Sequence, residues 1–398
     1  MRKLLRLTTL VLLTGLSLQA FKGYSQDVFP ITTAVPFLLI SPDARGGSMG
    51  ETGVATEPDA ASIHWNPAKY AFIDKDMGFA VSYSPWLREL VDDIGLAYVS
   101  GYKKFDDRQA IAGSLRYFSL GTIQFTRIDG TPIGDFKPNE FALDLAYSRK
   151  FSDNFSGSVT GRFIYSNLTL GQEVQGAETS AGTSVAADVA IYYRKEFDLS
   201  GKDALFSFGT NISNIGAKIS YTQTTEKDFI PTNLRFGPSL KVEIDDYNSI
   251  GFQFDITKLL IPTTPIYKKD SITGQPVYDE NNKLIIEKGY DPNVSILTGM
   301  VQSFYDAPNG MSEELKEIIW AVGAEYWYNK QFALRAGYYH ESAEKGARQF
   351  MTFGAGLRYN VFGLDFSYLV STDQRNPLDN TLRFTLTFDF EAFRSQGR

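Results

Sequence analysis

The chain has no cysteine among its 398 residues. That excludes a disulfide framework, a thiolate metal site and a lipid-modified cysteine anchor, so packing and strand pairing alone must hold the fold. Histidine is nearly as scarce: only His64 and His340 occur, and nothing in their spacing brings them together. Metal-ligand and Cys/His nucleophile constellations are therefore missing. No Gly-x-Ser-x-Gly, P-loop or paired-glycine fingerprint stands in their place. A Ser/His/Asp triad, whose members need not be adjacent in sequence, stays open on these grounds. The residues otherwise read as a protein that is not an enzyme and carries no cofactor, with His64 a packing residue beside Trp65. A basic excess is lacking too, and the formal net charge of −7 argues against nucleic acid as a partner. After Ala20 no apolar run is long enough for a membrane-spanning helix.

What is present is a period of two. Phe141, Leu143, Leu145 and Tyr147 alternate with Ala142, Asp144, Ala146 and Ser148. Leu382, Phe384, Leu386, Phe388 and Phe390 alternate with Arg383, Thr385, Thr387 and Asp389. Each such segment puts apolar residues on one face of a strand and polar ones on the other. With no long helices to cover the apolar face, the economical solution is a closed barrel with lipid outside. The fold class is therefore all-β, a transmembrane outer-membrane barrel of about fourteen antiparallel strands with an N-terminal segment plugging the lumen. The strands start near Met77, Asp93, Arg108, Glu140, Asn154, Ser184, Ala204, Leu234, Ser249, Ile318, Gln331, Gln349, Gly363 and Thr381. Short polar connections alternate with long ones, the asymmetry of periplasmic turns and surface loops, which places both chain ends on the periplasmic side. Asp144, Asp188, Asp255, Glu325, Asp365 and Asp389 share the inward face with Arg162, Arg235, Arg335, Arg358 and Arg383. A salt-bridge lattice filling the lumen is favoured over an open polar channel, because buried charges need partners. Replacement of Ala142 or Thr385 by Arg is expected to be milder than the same change at Leu143 or Phe384.

The ends and insertions divide the chain. Residues 1–25 read as a secretory signal, with Arg2, Lys3 and Arg6 ahead of an apolar stretch and cleavage before Gln26. Residues 26–76 form the plug segment, 77–390 the barrel and 391–398 a periplasmic tail. The plug motif combines Pro42, Asp43, Arg45, Gly46, Gly50, Trp65, Asn66, Pro67 and Ala68, a glycine and proline density that marks tight turns and close backbone approach. A long insertion, residues 259–317, has a polar, hairpin-like first half. Its second half suits a short helix over Asn293–Phe304, and Ser312 resembles an N-cap leading into Leu315–Ile319. An insertion of this length is usually functional.

A folded domain cannot cross a plugged barrel of this size, so any protein partner must use the outer rim. Trp86, Leu87, Leu90 and Val91, beside Arg88, make an aromatic and aliphatic cluster of the kind found in binding hot spots. Met300 and Phe304 in the insertion are further candidates.

Several stretches carry a family resemblance. They are Ile31–Leu38, Ser41-Pro42-Asp43-Ala44-Arg45, His64-Trp65-Asn66-Pro67-Ala68-Lys69-Tyr70, Tyr83-Ser84-Pro85-Trp86-Leu87, Leu115–Gly121 and Asn139–Asp144. Through them the chain resembles the PorV (LptO) family of the type IX secretion system in Bacteroidetes, over nearly the whole mature length. The resemblance implies a FadL-like barrel in the outer membrane, with loops at the cell surface. It implies a shuttle that binds the C-terminal signal domain of secreted cargo, takes it from the SprA (Sov) translocon and delivers it to the PorU sortase, which attaches it to lipopolysaccharide. Two other classes stand beside it: a FadL-like transporter of hydrophobic small molecules, and a protein linked to lipid A O-deacylation. No catalytic residue maps onto the chain from the family.

Overall fold

Fourteen antiparallel strands close into a single barrel. They are β1 (Met77–Pro85), β2 (Ile94–Asp106), β3 (Gln109–Leu120), β4 (Asn139–Lys150), β5 (Phe155–Asn167), β6 (Gly182–Asp198) and β7 (Asp203–Gly216). The second half comprises β8 (Asn233–Glu243), β9 (Asn248–Leu259), β10 (Ile319–Tyr328), β11 (Phe332–His340), β12 (Gln349–Tyr359), β13 (Phe362–Ser371) and β14 (Leu382–Asp389). Each strand pairs with its sequence neighbours, and β14 closes onto β1 with Tyr83 opposite Phe384. The computed structural model describes residues 30–86, 93–126, 129–172, 178–222, 227–372 and 378–390. The expected signal sequence and the tail 391–398 lie outside the described residues.

Every strand starts within two residues of the position expected from the period-two pattern. On β4, Leu143 and Leu145 stand exposed on the outer face while Ala142 and Ala146 are buried in the lumen. Exposed Phe105, Phe151, Tyr247, Tyr328, Phe332, Tyr359 and Phe362 gather beside the short turns, the position of an interfacial aromatic girdle. One of these turns shows how the register is set. Asn329 and Lys330 take φ of 51° and 53°, the two left-handed residues of a type I′ hairpin that matches strand twist.

At the long-loop end two small hairpins rise from the barrel. Ile123–Thr126 pairs with Pro132–Phe136, which the sequence pattern did not single out, and Ile266–Tyr267 pairs with Ile286–Lys288 in the insertion.

The N-terminal segment contains helices α1 (Ala44–Gly47) and α2 (Ser62–Trp65), with 3-10 turns over Pro36–Leu39 and Pro67–Phe72. Ala34, Val35, Phe37 and Leu38 pack against Leu96, Phe118, Ile164, Ile219 and Ile230, all near the long loops. Farther along, Tyr70 and Ile73 pack against Tyr102, Ala110, Ala112 and Ala146 toward the short turns. The segment thus runs down the lumen from one end to the other before entering β1. Pro30, the first described residue, lies at the long-loop end; residues 26–29, on which the expected position of the mature N-terminus depends, are outside the described ones.

Candidate functional site

Inside the lumen the segment is organised around Trp65. Its indole N–H donates to Asp43 Oδ1 at 2.6 Å, while Asp43 Oδ2 caps α1 by accepting from the Gly46 N–H at 2.8 Å. A β-carbon at Gly46 or Gly53 would overlap the indole ring, so these two positions admit glycine alone. The Arg235 guanidinium covers the ring at 4.6 Å, a cation–π contact from the barrel wall. Asn66 closes the next turn: its Oδ1 accepts from the Ala68 N–H at 3.0 Å and its Nδ2 donates to Val54 and Ile191 carbonyls. Pro67 sits at the start of that turn, where no N–H is needed. Pro42, Asp43, Gly46, Gly50, Trp65, Asn66, Pro67 and Ala68 are all buried, and Arg45 nearly so.

Partners for the segment come from strands around the ring. Thr385 accepts from Ala44 N–H, Thr352 from Gly50 N–H, and Asp255 from the Gly53 and Val54 N–H groups. Ser148 and Ser156 donate to the Pro67 and Ala68 carbonyls. Arg45 bridges Asp59 at 2.8 Å and Glu325 at 2.9 Å. From Glu325 the ion pairs continue through Arg335 and Asp365 to Arg358. A second group joins Arg162 to Asp144 and Asp188, and Arg383 holds Glu51. These inward charges therefore pair with each other or with the segment. Asp389 belongs to β14, and its side chain is outside what is described. His64 lies between Trp65 and Arg116, whose Nη2 donates to His64 Nδ1 at 2.6 Å; His340 stacks on Trp320. Among the described residues no His, Asp and Glu cluster is placed to hold a metal ion.

At the long-loop end a crevice of about 350 Å³ opens between the N-terminal segment and the loop bases. Ile31, Pro36, Leu39, Ile40, Trp86, Leu259, Ile319, Phe350 and Leu378 supply its apolar wall, and Glu51, Glu317, Glu341, Lys345 and Arg348 its polar one. Trp86 is half-buried here, packed against the cluster that holds Phe37 and under Arg383, so it is an anchored wall rather than a free rim residue. Leu87, Arg88, Leu90 and Val91 lie outside the described residues.

The insertion folds into a cap beside this crevice. Helix α3 (Ile296–Gln302) is capped by Ser295, whose Oγ accepts from the Thr298 N–H. Ser312 is not an N-cap: α4 (Met311–Glu314) starts after Gly310, whose φ of 75° turns the chain, and Ile319 already belongs to β10. Glu313 and Glu314 are therefore free to serve as ion-pair partners. Glu317 is shared by Lys258 at 2.9 Å and Lys345 at 3.0 Å; Glu314 adds to Lys258 and Glu313 to Lys345. Thr263 ties in Glu317 and, through its N–H, Asp306. Burial pushes Asp306 up to about 6 despite its hydrogen bonds from Thr263 and Gln302. Burial also works on Glu313, but the Lys345 ammonium and the Asn309 N–H more than offset it, holding that carboxyl below its ordinary value. Sequence reasoning missed this hub; its one signal was a run of three acidic residues, 313, 314 and 317, on a short segment.

Phe304 is exposed and Met300 half-buried on the cap, away from Trp86. Leu259 faces the crevice, whereas Lys258, against which Phe304 packs at 5.8 Å, points from the other face of β9. Phe304 is thus separated from the crevice by the Lys258–Glu317 pair, whose carboxylate lines it.

A family model for the type IX secretion system protein PorV matches residues 24–266, more than half of the chain. The chain belongs to the PorV family. The matched range takes in the described part of the N-terminal segment and strands β1 to β9. A closed β-barrel of this family is a protein of the outer membrane, and the membership ties it to type IX secretion. No curated protein matches the sequence. Similar solved structures include the Pseudomonas putida toluene transporter TodX, at 11% identity and a TM-score of 0.49, covering 91% of this chain and 98% of that one. The Ralstonia pickettii toluene transporter TbuX is similar at 10% identity and 0.45, covering 88% and 97%. A Pseudomonas aeruginosa FadL homologue matches at 13% and 0.42, covering 91% and 100%.

Proposed function

We propose that this PorV-family barrel is a binding shuttle rather than an enzyme. It takes the folded C-terminal signal domain of secreted cargo from the SprA (Sov) translocon and hands it to the PorU sortase for attachment to lipopolysaccharide. In this reading the long-loop end faces the cell surface and the short turns face the periplasm. The observation that carries it is the filled lumen. The N-terminal segment occupies it from end to end, tied to β9, β10, β12 and β14 by buried ion pairs and hydrogen bonds and to β4 and β5 across the ring by the Ser148 and Ser156 hydroxyls. A folded domain has no path through, so capture uses the surface at the long-loop end. There the crevice beside Trp86 offers an apolar wall bordered by charge, the composition of a hot spot. The test is co-purification of a secreted protein's C-terminal domain with the detergent-extracted barrel. Retention by the wild type and loss on filling the crevice support the reading; no retention by the wild type overturns it.

A further inference from the structure

The cap overhangs the outer wall of the barrel. On β9, Phe252, Phe254 and Ile256 share the outer face, and Gln253 and Asp255 the lumenal one, where Asp255 accepts from Gly53 and Val54. Alternation puts Lys258 on the same outer face as Ile256. An outward lysine at the end of a barrel strand should be exposed, yet Lys258 is buried beneath Glu314, Glu317 and the Phe304 ring. The cap therefore covers the outside of the strand end as well as the mouth.

The level of this overhang is fixed by its neighbours. Ile256 stands opposite Trp320 in the β9–β10 ladder, and Trp320 stacks with Tyr338 and His340 at 5.5 and 4.9 Å on the outer face. Tryptophan and tyrosine grouped at one end of an apolar belt mark the boundary between acyl chains and headgroups. Lys258 is one same-face step beyond Ile256, about 7 Å along the strand. Phe304 lies against it, so the cap helix sits at the height of the headgroups.

Helix α3 and the turn that follows it present an apolar ridge to those surroundings. Leu297, Val301 and Phe304 are exposed at 69%, 63% and 48%. No charged residue occurs between Asp291 and Asp306. The opposite side of the helix is already occupied, with Gly299 against Phe229 and Pro262. We propose that the Leu297–Val301–Phe304 ridge is an interfacial lipid anchor, seated in the headgroup–acyl boundary of the leaflet at the long-loop end. It continues the barrel's own lipid-facing belt past the strand ends. The anchor would hold the cap against the membrane and leave the crevice side free, whichever partner the crevice takes.

The absence of cysteine makes the test clean. Val301→Cys, and separately Leu297→Cys, would each carry one nitroxide on the full-length barrel in vesicles of phosphatidylcholine and phosphatidylglycerol. Folding is checked by heat-modifiable migration. Leu143→Cys on the outer face serves as the lipid control and Ile272→Cys, at the 94% exposed hairpin tip, as the aqueous one. The expected result is that both ridge labels collide with oxygen several-fold more than with a water-soluble nickel chelate, as at Leu143. Nickel accessibility equal to that at Ile272 would place the ridge in water and overturn the proposal. Low accessibility to both reagents would mean a protein, including a second copy of the chain, covers the ridge, and would overturn it equally.

Discussion

Arg383 Nη2 donates to Glu51 Oε1 at 2.7 Å, joining the last strand to the N-terminal segment across 332 residues of sequence. The arginine is fully buried, so removing one partner strands a charge in the lumen. Arg383→Met alone should destabilise the barrel by about 3–5 kcal/mol, whereas Arg383→Met with Glu51→Gln should recover much of that loss. Denaturant midpoints of the refolded barrel in lipid check both; equal losses in the single and double variants would show that the pair is not coupled.

The two faces of β4 should respond to size in opposite ways. Leu143 is exposed on the outer wall, so Leu143→Phe should change stability by less than about 0.5 kcal/mol. Ala142 packs in the cluster around Phe37, so Ala142→Phe should cost about 1–3 kcal/mol through overpacking. Charge is a poorer discriminator. Leu143→Arg costs roughly 2–4 kcal/mol near mid-membrane, and the milder effect expected of arginine at Ala142 or Thr385 meets a filled lumen, where both are buried and Thr385 Oγ1 accepts from the Ala44 N–H. Refolding yields in lipid vesicles compare the variants.

How far the sequence could be read depended on the range of the interactions. Strand positions were legible because lipid on one side and packed polar groups on the other impose a strict alternation, as at Phe141–Ser148. The inward charges were legible for the same reason, but not their pairing, since Arg45 meets Glu325 from 280 residues away. Glycine density at 46–53 announced close approach without naming the Trp65 ring as the object approached. The hairpin at Ile123–Phe136 was missed because its strands are short and carry no buried face to set a period. The crevice was invisible for a similar reason: its walls come from the N-terminal segment and from the bases of several loops.

The hub of the cap predicts a local effect with the barrel intact. Lys345 bridges Glu313 and Glu317 from the neighbouring loop, and all three side chains are buried. Lys345→Met leaves two carboxylates facing each other and should weaken cap closure by about 3–5 kcal/mol. Protease cleavage within residues 260–318 should accelerate while heat-modifiable migration stays unchanged; unchanged cleavage would show that the cap closes without this lysine.

Acidity should act on the same cap with a definite sign. Asp306 is raised from 3.8 to about 6, so the closed cap binds more protons than the open one between those values. That contribution is fully present below the lower value and is lost as pH rises through the upper one. Glu313 is lowered, so its contribution is present above its ordinary value and disappears as pH falls. Closure should therefore be tightest near about pH 5 and looser near about pH 7.5. Asp306→Asn should flatten the neutral limb only. Hydrogen exchange of residues 296–306, corrected for intrinsic rates, measures this; a limb unchanged in the variant would remove Asp306 as its cause.

Cargo capture is the prediction on which the proposed function turns. Trp86 is the one tryptophan lining the crevice, beside Leu39 and Ile40, and the ring lies 5.9 Å from the Arg383 guanidinium carbon. Because it is half-buried and held in place, it presents its free edge with little conformational freedom left to lose on binding. Truncation of such an anchor typically costs 2 kcal/mol or more of binding free energy, about thirtyfold in affinity. Trp86→Ala should therefore lower retention of a secreted C-terminal domain strongly, and Trp86→Phe less. Ile40→Trp should also weaken it by filling the space beside Trp86. Heat-modifiable migration verifies that each barrel has closed, which separates lost capture from lost folding. Retention unchanged in both Trp86→Ala and Ile40→Trp would move the cargo contact out of the crevice, to the loops that surround it.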